Sequence, residues 1–298
     1  MIFDTSSNNI ILISYPAGGF GNFIYYILTK FADQTVKISN IGFNLSVDGD
    51  CHNATKYTEL YGQDPAEYIP NISVDPKDKK ILVLCDNGIL HDNYSKIKTV
   101  FPNATIIRNV IDPAVRPVIY QTCIAKAMKK DINMINQRIV DANWSDSISD
   151  YAQRENFTLF YHQWSFGWQE SADTINLSLE DLIIDPIETI IKLINRLGMQ
   201  LVDEDLLRPV INNWLTANAK YFSVYWSTKT VMQALESKKH IDISNIVDLH
   251  EQGYINYCIE AKYHVTIPVY DYKDWFKSTN EIIAMIEKLH VQDKISHS

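Results

Sequence analysis

A short apolar run, followed by a glycine-rich turn and a helical pattern, most constrains how this chain can fold. The run N-I-I-L-I-S-Y at Asn9–Tyr15 is β-branched and has no polar alternation, which is typical of a strand buried on both faces. After the turn, Asn22–Phe31 has apolar residues at helical spacing and no helix breaker. The pattern predicts a central parallel strand, a glycine turn and a helix.

Further strand-like segments alternate with helical patterns along the chain. We expect strands at Lys80–Cys85 and Ala104–Arg108, which are short runs rich in apolar residues next to turn formers, and a fourth strand at Thr174–Ser178. The weakly patterned segment Ala32–Asp78 is expected to be an insertion of short helices or loops. Strands that alternate with helices indicate an α/β protein with a parallel sheet.

Two Asp-Pro pairs, at Asp112 and Asp185, and a long apolar stripe predict helices after the third strand. Proline suits the first turn of a helix, so we expect helices over Asp112–Lys130 and from Asp185–Pro186 to a stop at Gly198. From Val202 onwards the chain is expected to be mostly helical, with Tyr263–Val269 as a strand-like exception. We therefore predict one domain over residues 1–298, with a core at about residues 9–200 and a mostly helical extension over residues 201–298.

Composition and charge exclude several classes of function. The net charge of -9 disfavours a protein that grips nucleic acid or an anionic membrane over its general surface. No apolar run reaches the length of a membrane helix, and the first residues lack the layout of a signal peptide, so we expect a cytoplasmic protein. The four cysteines form no C-x-x-C pair, which predicts neither a metal site nor a disulfide framework.

The loop Ser14–Asn22, with the sequence S-Y-P-A-G-G-F-G-N, is the main candidate for a binding site. Gly18, Gly19 and Gly21 allow a tight turn that directs backbone amides inward, and the following helix adds partial positive charge. Phosphate is the natural ligand of such a loop. The loop lacks the lysine of a Walker A motif and is not G-x-G-x-x-G. A glycine turn that only packs a helix on the sheet is the alternative interpretation.

Three later segments follow this loop in a recognisable order. R-N-V-I-D-P-A-V-R places Arg108 and Asn109 at the carboxyl end of a predicted parallel strand, where α/β sheets bind ligands. F-Y-H-Q-W-S-F-G-W contains Trp164 and Trp168, and L-S-L-E-D-L-I-I-D-P covers Leu177–Pro186. The tryptophans alone would most simply pack a helix on the core. Taken in order with the loop, the segments resemble the sulfotransferase family that uses 3'-phosphoadenosine-5'-phosphosulfate.

The resemblance implies a three-layer α/β architecture with a central parallel sheet, as in P-loop NTPase-like sulfotransferases. In that family the first strand-loop-helix holds the 5'-phosphosulfate, and the residues in its place are Pro16, Ala17, Gly18, Gly19, Phe20, Gly21 and Asn22. The family's R-N-P-x-D-x-A-x-S segment holds the 3'-phosphate, which implies this role for Arg108 and for Arg116, the residue in place of the serine. Arginine can grip phosphate through two hydrogen bonds.

The chain departs from the family at positions that matter for catalysis. Ala17 stands where the family has a lysine or arginine that stabilises charge on the leaving oxygen. For the glycine-rich basic segment near the carboxyl terminus, the nearest substitute is the run Lys238–His240, which otherwise reads as a solvated turn. A general base must lie within hydrogen-bond reach of the attacking acceptor, and Asp86 and His91 are both candidates.

The implied activity is transfer of a sulfuryl group from 3'-phosphoadenosine-5'-phosphosulfate to a hydroxyl or amine of a small molecule or glycan. Adenosine 3',5'-bisphosphate would be the product. G-G-F-G-N at Gly18–Asn22 is also similar to the G-G-x-G-N opening of fucosyltransferases that use a guanosine-diphosphate sugar, although their H-x-R-R element is missing. A relative that binds a nucleotide or a protein partner without catalysis is the third alternative, which Ala17 favours.

Overall fold

The computed structural model describes residues 8–15, 20–35, 44–45, 51–52, 56–57, 79–85, 98–99, 101–112, 115, 174–267 and 275–296, to which all structural statements refer. The chain divides into two compact units. One comprises residues 1–111 and 159–219, and the other comprises residues 112–158 and 220–298. The single domain expected over residues 1–298 stays a prediction.

The first unit contains a five-stranded sheet in which every pairing is parallel. Its strands are β1 (Ile10–Ser14), β4 (Lys56–Tyr57), β5 (Ile81–Cys85), β6 (Thr105–Val110) and β7 (Thr174–Ser178), in the order β4-β5-β1-β6-β7. A separate antiparallel pair consists of β2 (Asn44–Leu45) and β3 (Cys51–His52). The predicted α/β class with a parallel sheet is confirmed.

The central position of β1 follows from its composition. All five residues of Ile10–Ser14 are buried, and the strand pairs with β5 on one side and β6 on the other. A strand with neighbours on both edges and packing on both faces has no place for exposed polar side chains. Within the predicted insertion at Ala32–Asp78, the two-residue strand β4 extends the main sheet beyond β5.

The described part of the first unit contains four helices of six or more residues. They are α1 (Gly21–Phe31), α2 (Leu179–Ile184), α3 (Pro186–Arg196) and α4 (Glu204–Ala217). Ser178 caps α2 by accepting the Asp181 N–H. Pro186 is the first residue of α3, and Gly198 beyond its end has a φ of 71°, a conformation that glycine adopts without strain. Only Asp112 and Val115 of the helix predicted at Asp112–Lys130 lie within the described residues.

The carboxyl end of α1 is tied by backbone hydrogen bonds to the segment that begins α4. The Val202 N–H donates to the Phe31 carbonyl over 2.8 Å, and the Asp33 N–H donates to the Gln200 carbonyl over 3.1 Å. The Gln200 N–H donates in turn to Asp33 Oδ1 over 2.9 Å. Asp203, the residue after Val202, caps α4. This helix therefore begins close to the end of α1.

The second unit is helical in its described part from Lys220 onwards. Its helices are α5 (Ala219–Glu236, whose first residue belongs to the first unit), α6 (Leu249–Tyr263) and α7 (Thr279–Ser296). The mostly helical prediction is therefore confirmed. The strand-like exception at Tyr263–Val269 is wrong for its described residues, because Tyr263 ends α6 and residues 264–267 form no strand. No helix in the described ranges has the length and apolar character needed to cross a bilayer.

Candidate phosphate-binding site

The order of the strands places a change of direction between β1 and β6. From β1 the chain passes through α1 to β4 and β5 on one side, whereas from β6 it continues to β7 on the other side. Neighbouring strands whose connections leave in opposite directions form a topological switch point. Ligands of open α/β sheets bind outside the carboxyl ends of such strands, so the edge formed by Ser14 and the last residues of β6 is the candidate site.

A row of three polar residues crosses the sheet at this edge. Arg108 is in register with Ser14 of β1 on one side and with Asn176 of β7 on the other. Register partners in a parallel sheet point to the same face, so the three side chains share one face. Ser14 is fully buried, Arg108 is half-buried and Asn176 is exposed. The row therefore leads from the sheet interior to solvent, with the guanidinium-bearing residue in the middle.

The start of α1 has an uncapped first turn and a left-handed residue before it. Phe20 precedes the helix in the left-handed conformation, with φ 59° and ψ 25°, and its carbonyl accepts the Ile24 N–H over 3.1 Å. No side-chain oxygen of Phe20 is available to cap the first amides, and the first turn contains no acidic residue. A left-handed residue followed by the right-handed Gly21 directs successive N–H groups to one side, which is the geometry of an anion-binding nest.

Gly21 is required by the close approach of an aromatic ring. A Cβ placed on Gly21 would lie less than 3.0 Å from three ring carbons of Tyr15, a separation that real Cβ atoms essentially never show. Tyr15 is itself buried. The small size of Gly21 therefore serves the packing of Tyr15, whichever role its backbone amide has. Gly18 and Gly19 lie outside the described residues.

Aromatic rings of α4 and of the start of α1 pack against one another. Trp214 of α4 stacks on Phe23, with ring centroids 4.3 Å apart and planes 6° from parallel. The same indole meets the Phe20 ring edge to face, at 5.2 Å and 87°. Trp214 was not among the predicted site residues. Trp214 follows Leu207 and Ile211 at helical spacing, which indicates that it lies on the buried face of α4. The spacing does not indicate that the rings of Phe20 and Phe23 are its partners.

Only part of the predicted site lies within the described residues. Phe20, Gly21, Asn22 and Arg108 are described, and they occupy the start of α1 and the end of β6. Asn22 is the second residue of α1, and its Oδ1 is buried without a hydrogen-bond partner in the described ranges. The other predicted site residues lie outside these ranges: Pro16, Ala17, Gly18, Gly19, Asp86, His91 and Arg116. Trp164 and Trp168 also lie outside them.

The remaining predictions concern metal binding and the basic run. The described residues contain no group of three or more His, Cys, Asp or Glu side chains arranged to hold a metal ion. Lys238–His240, the nearest substitute for the family's basic segment, is an exposed turn after α5, and Lys238 has a φ of 51°. This exposure agrees with the solvated turn that the sequence favoured.

Comparison with protein families, characterised proteins and solved structures finds no match for this chain. Its function is therefore inferred from the geometry at the end of β1 and β6 together with the motifs in the sequence. The glycine-rich loop follows β1 in the sequence, and the R-N-V-I-D segment begins in β6, which pairs with β1 in parallel.

Proposed function

We propose that this chain binds a nucleotide through its phosphates at the carboxyl edge of β1 and β6. The register of Arg108 with Ser14 supports this most directly, because it brings an arginine beside the strand that leads into the glycine-rich loop. Guanidinium groups bind phosphate through charge-assisted hydrogen bonds, and helix amino termini attract the same group. A cation and a nest at one switch point suit a ligand with more than one phosphate.

The nucleotide of this proposal is 3'-phosphoadenosine-5'-phosphosulfate, and the architecture is the three-layer, P-loop-like one of sulfotransferases. The amides at Phe20–Asn22 and of the preceding loop would hold the 5'-phosphosulfate. Arg108, aided by Arg116, would hold the 3'-phosphate. This assignment follows the motif order in the sequence, and the parallel pairing of β1 with β6 is compatible with it.

In the proposed reaction, an acceptor oxygen or nitrogen attacks the sulfur while the bond from sulfur to the bridging phosphate oxygen breaks. Adenosine 3',5'-bisphosphate leaves, and the acceptor proton passes to a general base, for which Asp86 and His91 are the candidates. Because Ala17 supplies no cation, negative charge on the bridging oxygen would be stabilised by the backbone amides before α1. The acceptor would be a small molecule or a glycan.

A thermal-shift comparison tests the binding step. The protein is heated in buffer, with adenosine 3',5'-bisphosphate and with guanosine diphosphate, since a ligand that binds only the native state raises the melting temperature. We expect a shift with the adenosine compound, equivalent to about 2.7 kcal/mol at a concentration of 100 times Kd. A shift with guanosine diphosphate alone would favour the nucleotide-sugar alternative, and no shift with either would reject the proposal.

A label-transfer assay tests the chemical step once binding is established. Transfer of labelled sulfate from 3'-phosphoadenosine-5'-phosphosulfate is measured with a mixture of hydroxyl and amine acceptors. Asp86→Asn and His91→Ala are compared with the unaltered chain, and loss of transfer with retained binding identifies the base. Binding without transfer to any acceptor would favour the non-catalytic alternative.

A further inference from the structure

Helix α4 runs back along α1 from its carboxyl end to its amino end. At one end, Val202 and Gln200 pair with the backbone of Phe31 and Asp33 immediately before α4 begins. At the other end, Trp214 in the last turn of α4 contacts the rings that begin α1. The segment just before α4 is therefore tied to the end of α1, and the last turn of α4 packs on the start of α1.

Phe20 occupies a backbone conformation that bulky side chains rarely adopt. Its φ of 59° brings Cβ close to the following carbonyl oxygen, and glycine is the residue that tolerates this geometry. The conformation persists only where the surroundings enforce it. The Phe20 ring makes an edge-to-face contact with Trp214, which is itself only 1% exposed.

We infer that Trp214 is a positioning residue for the anion-binding amides at the start of α1. By holding the Phe20 ring, it keeps Phe20 left-handed, and this conformation directs the N–H groups of Phe20 and Gly21 to one side. Its stack on Phe23 fixes the axis of the helix that carries those amides. Trp214 touches no ligand in this account. The inference rests on the proposed phosphate site, which it deepens.

The test compares Trp214→Leu with Ile211→Ala, a buried residue one turn earlier on the same face of α4. Affinity for adenosine 3',5'-bisphosphate is measured by calorimetry, and exchange of the Ile24 amide is followed in the ligand-free protein. This amide donates to the Phe20 carbonyl, so its protection reports whether Phe20 stays in place. Trp214→Phe, which keeps an aromatic ring, replaces Trp214→Leu if the leucine variant does not fold.

We expect Trp214→Leu to weaken binding about tenfold and to accelerate Ile24 exchange by a similar factor, with little change in Ile211→Ala. Adding Phe20→Gly to Trp214→Leu should restore most of the affinity, because glycine adopts the left-handed conformation without strain. Equal losses in Trp214→Leu and Ile211→Ala, or no rescue by glycine, would overturn the inference. If the unaltered chain binds no nucleotide, the proposed function fails, and Ile24 exchange alone decides whether Trp214 positions Phe20.

Discussion

Ser14, the last residue of β1, is paired in register with Arg108, which lies two residues before the end of β6. The pairing joins the strand before the glycine-rich loop to the strand that carries the only arginine in the described part of the sheet. Both residues lie at the switch point, where ligands of open α/β sheets bind over the strand ends.

Replacing Arg108 with alanine should remove the main cation for the nucleotide phosphate. Hydrogen bonds to charged groups contribute about 1.5–3 kcal/mol, so we expect affinity for adenosine 3',5'-bisphosphate to fall at least tenfold. Arg208→Ala is the control, since Arg208 is exposed and pairs with Glu204 on α4. The thermal shift should be lost in Arg108→Ala and retained in Arg208→Ala. An undiminished shift in Arg108→Ala would remove this residue from the site.

Gly21→Ala should destabilise the first unit because the new methyl group would collide with the Tyr15 ring. Overpacking of this kind costs about 1–3 kcal/mol. Replacing Tyr15 with alanine in the same chain should relieve part of that collision. Urea denaturation of the two single variants and the double variant measures the coupling between the residues.

Gly198→Ala provides the contrast with Gly21. Its Cβ would meet nothing within 4 Å, but its φ of 71° is unfavourable for alanine. We expect a loss of about 1 kcal/mol that Tyr15→Ala does not alter. Coupling of Tyr15 to Gly198 as strong as its coupling to Gly21 would contradict the steric explanation.

The stability of the protein should fall between about pH 4.5 and pH 7 through Glu260. Burial raises the pKa of Glu260 from 4.5 to about 7, even though its Oε1 accepts the Ile267 N–H over 2.7 Å. The folded state therefore keeps the proton to a higher pH than the unfolded state does. The shifted pKa of Glu260 contributes on the order of 3 kcal/mol to the free energy of unfolding. This contribution is fully present below pH 4.5 and is lost as the pH rises through 7.

Glu260→Gln tests this pH dependence because glutamine is neutral and can still accept the Ile267 hydrogen bond. Unfolding free energies at pH 5 and pH 8 should differ less in this variant than in the unaltered chain. Glu188→Gln is the control, since Glu188 lies in an exposed ion pair with Lys192. Equal pH slopes for Glu260→Gln and the unaltered chain would show that another group is responsible.

Asp203 and Asp185 both precede helices, but only Asp203 caps one with its side chain. Its Oδ1 accepts the Leu206 N–H over 3.0 Å, whereas the Asp185 side chain makes no capping hydrogen bond. Asp203→Ala should therefore cost about 1 kcal/mol, and Asp185→Ala should cost only a few tenths. The midpoint of chemical denaturation measures both, and a larger loss at Asp185 would contradict the geometry.

Sequence patterns predicted the elements that are strongly apolar or clearly bounded. The uninterrupted run in β1 permits only burial, and the stripe in α3 is bounded by Pro186 and Gly198. The strand at Thr174–Ser178 agrees with β7 in both bounds. The position of Arg108 near a strand end was also predicted, because that prediction required only that the segment Ala104–Arg108 be recognised as a strand.

Features that depend on pairing between distant segments could not be predicted. The register of Arg108 with Ser14 and Asn176 requires the strand order, which no local pattern encodes. The two residues of β4 are too few to show a period.

The strand expected at Tyr263–Val269 is wrong over residues 263–267, where the apolar Val265 and Ile267 alternate with the polar Thr266 in the sequence. Such alternation normally indicates a strand. Here it arises in a segment that leaves α6 and is held by Glu260, without a partner strand in the described residues.

The middle position of β1 has a consequence for how the protein is made. Both of its neighbours, β5 and β6, occur later in the chain, so Ile10–Ser14 leaves the ribosome long before it can pair. An unpaired run of isoleucine and leucine is prone to associate with other chains. During synthesis, Ile10–Ser14 can therefore associate with other chains until β5 and β6 have been made.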